Sequence, residues 1–255
     1  MNTYTKKFLT LSACALITSL TLAPSIARAE ESAPTADASV AFMSQYIWRG
    51  WAYSKDSMVI QPSMTVSQSG FAMNLWGNLD TEQYSAGGNE TSNFNETDLT
   101  LSYDGSTGKI SYGAGYIYYG LDGANDSQEV YASISLDLPL APSLKIYKEI
   151  TGVQGWYANL GVSHSVALAG DIALDLSASA GYYDNEIDYN ALHDGLVGAS
   201  ISLPIAKNIT LTPSVSYSFP LSSKASDKLE ADNEATIDDR EDSFIFGGLS
   251  LGISF

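Results

Sequence analysis

Large apolar and small polar residues alternate along most of this chain, and the alternation falls into about twelve segments. The sharpest is 244–255, FIFGGLSLGISF, where Ile245, Leu249, Leu251, Ile253 and Phe255 alternate with Gly248, Ser250, Gly252 and Ser254. A period of two puts successive side chains on opposite faces of a strand. The same pattern predicts strands over 39–51, 58–68, 71–80, 96–104 and 109–119. It continues over 129–138, 143–151, 156–168, 172–183, 195–205 and 209–219. In the first segment Val40, Phe42, Tyr46 and Trp48 share the outward face. In 58–68, Ile60, Met64 and Val66 oppose Gln61, Ser63, Thr65 and Ser67.

The connections form a second pattern. Short turns at 69–70, 104–108, 139–142, 169–171 and 206–208 tend to alternate with longer connections at 81–95, 121–127, 184–194 and 220–242. The connections at 54–57 and 152–155 are short for the long-loop side. Short periplasmic turns and longer extracellular loops mark an all-β fold, a transmembrane antiparallel up-and-down β-barrel of about 12 strands. An even strand number leaves both ends on the short-turn side. Inside a bilayer only helices and closed barrels satisfy every backbone N–H and C=O. A soluble sandwich would bury the large face against a second sheet, and the loop asymmetry argues against it.

The ends of the chain agree. Lys6 and Lys7, the apolar stretch 8–23 and Ala27-Arg28-Ala29 read as a secretory signal, so 1–29 is expected to be removed. Residues 30–38 then form a short periplasmic N-terminal segment and 39–255 the barrel. Leu11-Ser12-Ala13-Cys14 resembles a lipoprotein box, but the apolar run before it is too short and continues past it. The single cysteine would leave with the signal, which excludes disulfide, zinc–thiolate and thiol chemistry; no cofactor is expected. A final alternating strand ending in Phe255 is expected to serve as the assembly signal read by the barrel-assembly machinery.

The formal charge of −17 makes nucleic acid an unsuitable partner, since phosphate demands a basic face. Acidic loops suit outer-membrane lipid and lipopolysaccharide bridged by divalent cations. Tyr (16) and Gly (21) are plentiful, as aromatic girdles and tight packing of a barrel would require.

Eight strands fill a barrel with side chains, and 16–18 leave an aqueous channel. About twelve lie between, and small inward residues such as Ser63, Ser133, Ser177 and Ser216 predict a narrow wet lumen. Either 81–95 or 220–242 could fold inward as a plug. Parity assigns Arg49, Asp80, Asp98, Glu129, Asp137, Lys145, Glu149 and Asp175 to the lumen. Acids outnumber bases there, and carboxylate rings favour cations; the same acids could instead pair locally near strand ends and select little.

Other motifs carry less. Ser163-His164-Ser165 suggests a hydrolytic pair, but adjacent strand residues face opposite ways, so the serines cannot reach His164. His193 is expected to be solvated in a loop. The acidic run 227–242 lacks EF-hand spacing and reads as a solvated, mobile loop. Trp48, Trp51, Trp76 and Trp156 fall near outer strand ends, where a girdle accounts for the outward ones.

Three stretches resemble a known family. Ser44-Gln45-Tyr46-Ile47-Trp48-Arg49-Gly50 is similar to the opening strand of the TorF-type porins, a bacterial outer-membrane β-barrel family formerly of unknown function. Gly70-Phe71 through Trp76 to Asp80, and Gly155-Trp156-Tyr157 with Gly161 to Ser165, are similar too, while the acidic loop departs from the pattern. The resemblance implies a porin-like outer-membrane protein without a catalytic residue, and it carries over Arg49 as a lumen residue near the outer mouth. The resulting expectation is a passive channel for small hydrophilic solutes, weakly cation-preferring. The alternative is a non-conducting surface protein that binds a partner or lipopolysaccharide through its loops.

Overall fold

The alternating segments pair antiparallel with their neighbours until the last meets the first. A computed structural model describes residues 33–83, 91–152 and 155–255. The expected signal peptide 1–29 lies outside the described residues, as do parts of the connections 81–95 and 152–155. The strands are β1 (Thr35–Met43), β2 (Ile47–Trp48), β3 (Trp51–Ala52), β4 (Val59–Gln68), β5 (Phe71–Gln83), β6 (Thr91–Thr107) and β7 (Ile110–Leu121). There follow β8 (Ser127–Leu136), β9 (Ser143–Glu149), β10 (Trp156–Ala167), β11 (Ala173–Asp184), β12 (Asn190–Ala206) and β13 (Ile209–Pro220). A helix, α1 (Ser223–Ile237), precedes β14 (Phe244–Ser254). Twelve strands form a closed barrel, β1-β14-β13-β12-β11-β10-β9-β8-β7-β6-β5-β4, and β2 and β3 make a separate two-stranded piece.

The outward face is apolar. Met64, Val66, Phe71, Met73, Leu75, Leu101, Ile134, Leu160, Val215 and Leu249 are all exposed. In water such a belt would be costly; against hydrocarbon it is the favourable surface. His164 sits on this exposed face, opposite Leu176, while Ser163 pairs with Ser177 toward the lumen. The expected separation of that Ser–His–Ser run is therefore what the backbone imposes.

Several expectations need correction. The first strand does not run through 39–51: it starts at Thr35 and stops at Met43, and residues 44–58 turn into the barrel. Tyr46 is buried and Trp48 half-buried, rather than facing outward. The reason is a tight turn: β2 and β3 pair Trp48 with Trp51, and both residues between have positive φ, Arg49 at 50° and Gly50 at 86°. That is the type I′ pattern for a two-residue hairpin. The connection at 54–57 is accordingly part of a longer loop. Asp137 lies past the end of β8, exposed in a turn on the short-turn side, because β8 stops at Leu136.

The acidic run is not a mobile loop. It supplies most of α1, which is capped by the Ser222 side chain accepting from the Ala225 N–H at 3.2 Å and closed by left-handed Asp238. Ala225, Leu229, Asn233 and Ile237 are buried at four-residue spacing, one face of a helix. Ile237 packs with Met43, Tyr46, Ile47, Val59, Phe244 and Phe246 in an apolar core inside the outer half of the barrel. Charge on the other face stays in water, where Arg240 bridges Glu230 and Glu234.

The closing seam leaves no room at Gly248. A Cβ there would lie 1.9 Å from the Phe42 carbonyl oxygen of β1. Gly248→Ala is expected to strain the β1–β14 pairing by about 1–3 kcal/mol. Urea titration of the barrel refolded in lipid, read by heat-dependent gel mobility, checks this.

Candidate functional site

Arg49 stands at the tip of the inward hairpin, and the barrel wall is built to receive it. Its Nη1 and Nη2 donate to the two carboxylate oxygens of Glu129 on β8 at 2.7 and 2.8 Å. Tyr119 on β7 donates its hydroxyl to the same carboxylate at 2.8 Å. The guanidinium carbon lies 4.1 Å from the Trp48 ring centre, 4.6 Å from Tyr147 on β9 and 4.2 Å from Tyr157 on β10. Tyr157 is in turn fixed by donating to Asp194, at 3.0 and 3.1 Å from its two oxygens. Burial would pull the Arg49 pKa down, but the adjacent Glu129 charge and hydrogen bonds outweigh it and hold it above its ordinary value. The Nε of Arg49 is buried without a partner among the described residues.

The hairpin is clamped from the other side by α1. Trp51 Nε1 donates to Asp232 at 2.9 Å, and the Ala52 N–H donates to the Asn233 side chain at 3.0 Å. Asn233 also donates to the Glu241 carbonyl at 2.7 Å. His193, expected in solvent, is fully buried on β12. It packs against Trp51 with ring centres 4.5 Å apart, the planes tilted by 41°, and shares a 2.6 Å hydrogen bond with the Tyr189 hydroxyl.

Two cavities flank this septum. The outer one is about 660 Å³, open toward the loops, and the inner one about 780 Å³. Tyr46, Trp48, Arg49, Tyr119 and Tyr157 line both, so the hairpin tip and its wall partners divide one lumen in two. The plug is thus residues 44–58 together with α1 from 220–242, which covers the hairpin and sends Ile237 into its apolar core; of 81–95, residues 84–90 lie outside the described residues. Asp80 and Glu149 line the outer cavity, and Asp98 and Lys145 the inner. Asp80 accepts from Ser57 at 2.6 Å and Glu149 from Ser127 at 3.1 Å. Asp175 accepts from Ser202 at 3.1 Å and lines neither cavity. Phe255 is exposed, and its N–H donates to Ala36 across the seam at 2.9 Å. Of the four tryptophans, Trp156 alone is exposed on the outer surface, while Trp48, Trp51 and Trp76 lie inside and half-buried.

Sequence reasoning missed a ladder of tyrosines. Register pairs Tyr131 with Tyr147, Tyr147 with Tyr157 and Tyr157 with Tyr183 across β8, β9, β10 and β11. Tyr131 and Tyr147 line the inner cavity, Tyr157 both, and Tyr183 the outer, so the ladder climbs past the septum. It climbs because barrel strands tilt, which inclines the hydrogen-bonding direction to the axis. The Lys145 ammonium sits 3.8 Å from the Tyr131 ring centre and 4.9 Å from that of Tyr147. The inward parity of Tyr131 and Tyr147 was the available signal.

A family model of bacterial proteins of unknown function (Gcw_chp) matches residues 27–198. No curated protein matches the chain in sequence. Among solved structures, a KdgM porin in complex with disordered oligogalacturonate superposes with a TM-score of 0.52 at 10% identity, over 87% of this chain and 99% of that one. A NanC porin gives a TM-score of 0.49 at 9% identity, over 86% and 98%. The first likeness is one of fold, the closed porin-like barrel. With its apolar belt, this barrel is a bacterial outer-membrane protein.

Glu129→Ala is expected to leave a buried, unpaired guanidinium and to cost about 3–5 kcal/mol of barrel stability. The double variant Arg49→Met, Glu129→Leu should lose much less, because both buried charges go together. Urea unfolding of wild type and the two variants in micelles compares these losses. Asn233→Ala removes both of its hydrogen bonds, and amide exchange at Ala52 should rise while β8–β10 remain protected.

Proposed function

The chain belongs to Gcw_chp, the family of bacterial proteins of unknown function, and we propose that it acts as a porin-like channel for passive diffusion of small hydrophilic solutes. The observation that carries this reading is the divided lumen. Two cavities, about 660 and 780 Å³, are separated by the tip of a single hairpin and the wall side chains that receive it. Ser, Thr and Asn side chains line the inner cavity and offer hydrogen bonds to hydrated solutes. A weak preference for cations follows from Asp80, Asp98 and Glu149 in the lining, with Glu129 neutralising Arg49 and Lys145 the remaining base among the assigned lumen residues. The KdgM neighbour was solved with an acidic sugar chain. That ligand is not carried over, since Arg49 and Lys145 do not make a basic track.

The finer placement with the TorF-type porins rests on three short stretches, Ser44 to Gly50 in the hairpin, Gly70 to Asp80, and Gly155 to Tyr157 with Gly161 to Ser165. We also read 1–29 as a removed signal and Phe255 as the residue handed to the barrel-assembly machinery; of the expected periplasmic segment 30–38, residues 35–38 belong to β1 instead. Lipopolysaccharide would meet the acidic outer loops through divalent cations. No catalytic role is assigned to any side chain.

A second reading has its own support: the septum and α1 together close the lumen, as a non-conducting surface protein would require. Recording from the refolded protein in a planar bilayer under a KCl gradient separates the two. Arg49→Ala should raise unit conductance severalfold over wild type, with a reversal potential on the cation side. If Arg49→Ala and a variant with 45–57 replaced by a short Gly/Ser turn both stay silent, the loops rather than the lumen carry the function.

A further inference from the structure

We propose that the wall around Arg49 is a cation site in its own right, with the Arg49 guanidinium as its tethered occupant, and that solutes bearing a guanidinium group compete for it from the outer cavity. The receptor and the occupant belong to separate parts of the chain. Tyr119, Glu129, Tyr147 and Tyr157 project from four consecutive strands, β7 to β10, whereas Arg49 comes from a loop. The receptor side chains hold one another without the occupant. Tyr119 donates to Glu129, Tyr157 to Asp194, and Tyr147 packs between Tyr131 and Tyr157 with ring centres 5.7 and 6.0 Å away. Removing the hairpin tip therefore leaves a formed site.

The geometry selects the ligand class. Two parallel N–H···O bonds at 2.7 and 2.8 Å engage one edge of a planar cation, and tyrosine rings cover its faces. A fork on a carboxylate with aromatic faces above is guanidinium chemistry; an ammonium lacks the second edge. The tethered occupant fits imperfectly, since its Nε finds no acceptor among the described residues. Access is from outside, because Glu129 and Tyr157 line the cavity that opens toward the loops. The neighbouring rungs of the ladder hold a cation as well, Lys145 on Tyr131 and Tyr147. Displacing Arg49 would join the two cavities, and this last step rests on the channel reading above; binding at the wall does not.

The test is calorimetric titration of the refolded protein in micelles with methylguanidinium, and with urea as its neutral counterpart. Three proteins are compared: wild type, Arg49→Gly, and Arg49→Gly with Glu129→Gln. Glycine suits the positive φ of 50° at this position, so the turn is retained while the side chain goes. Methylguanidinium should bind Arg49→Gly at least about tenfold more tightly than wild type, where a tethered rival at millimolar effective concentration must be displaced. It should bind the double variant no better than urea does. Equal binding to the single and double variants, or equal binding of urea, overturns the inference. Should Arg49→Gly fail to give the heat-modifiable folded form, the wild type decides. Methylguanidinium should then red-shift the tryptophan emission of wild type and leave Glu129→Gln unchanged; no shift in wild type overturns the inference. Conductance is scored separately: a silent barrel that binds methylguanidinium sinks the channel reading alone, and a conducting barrel that does not bind sinks this one alone.

Discussion

A backbone inside hydrocarbon has no water to bond, so each peptide group of this chain must find another peptide group. With strands, that requirement is met only by closing the sheet, and the whole molecule follows from the closure. Lipid contact makes the outward side chains apolar, and the two-residue period then hands every alternate position to the interior. The seam between β1 and β14 is where closure is completed, through the full register from Asp37 with Ser254 to Met43 with Gly248. The absence of a side chain at Gly248 is what lets the Phe42 carbonyl approach.

Closure with twelve strands creates a second problem. The interior is wider than inward side chains can fill and narrower than a bulk-water channel. The protein resolves it differently at its two ends. Toward the short-turn end, small hydroxyl-bearing residues leave a cavity of about 780 Å³. Toward the loops, the hairpin of β2 and β3 enters the lumen and forms an apolar core with Met43, Val59, Phe244 and Phe246, roofed by Ile237 of α1. A charged residue at the deepest point of that insertion is tolerable because Glu129 receives it bidentately and three aromatic rings surround it. Such a pair adds little net stability over apolar replacements of the same shape, but it is costly to half-remove. Its value lies in fixing where the hairpin stops.

Mistakes made from sequence cluster at this one device. Tyr46 and Trp48 keep the outward beat of β1, so alternation alone carries the strand straight through Ser44 into the turn. Arg49-Gly50 was the available stop signal, because a residue pair with positive φ favours glycine at its second position. His193 and the acidic run were assigned to solvent for a related reason: composition speaks of an average environment, and the hairpin against which both pack is far away in sequence. Trp51 reaches Asp232 across 181 positions. Asp80, Asp98, Glu129, Lys145 and Glu149 line the two cavities and Asp175 lines neither, and a pore-lining role for them stays a proposal.

What the sequence determined by itself was therefore everything that repeats: the closed barrel, its strand number, which residues face lipid, and the parity of the wall. These are local consequences of a period of two in a solvent that accepts no unpaired backbone. What only the tertiary structure decided was which loop enters the lumen, where it stops, and what holds it. Arg49 meets Glu129 across 80 positions, and Tyr147 and Tyr157 reach it from two further strands. That meeting depends on strand tilt and shear carrying distant residues to one height, a quantity that no stretch of the chain encodes alone.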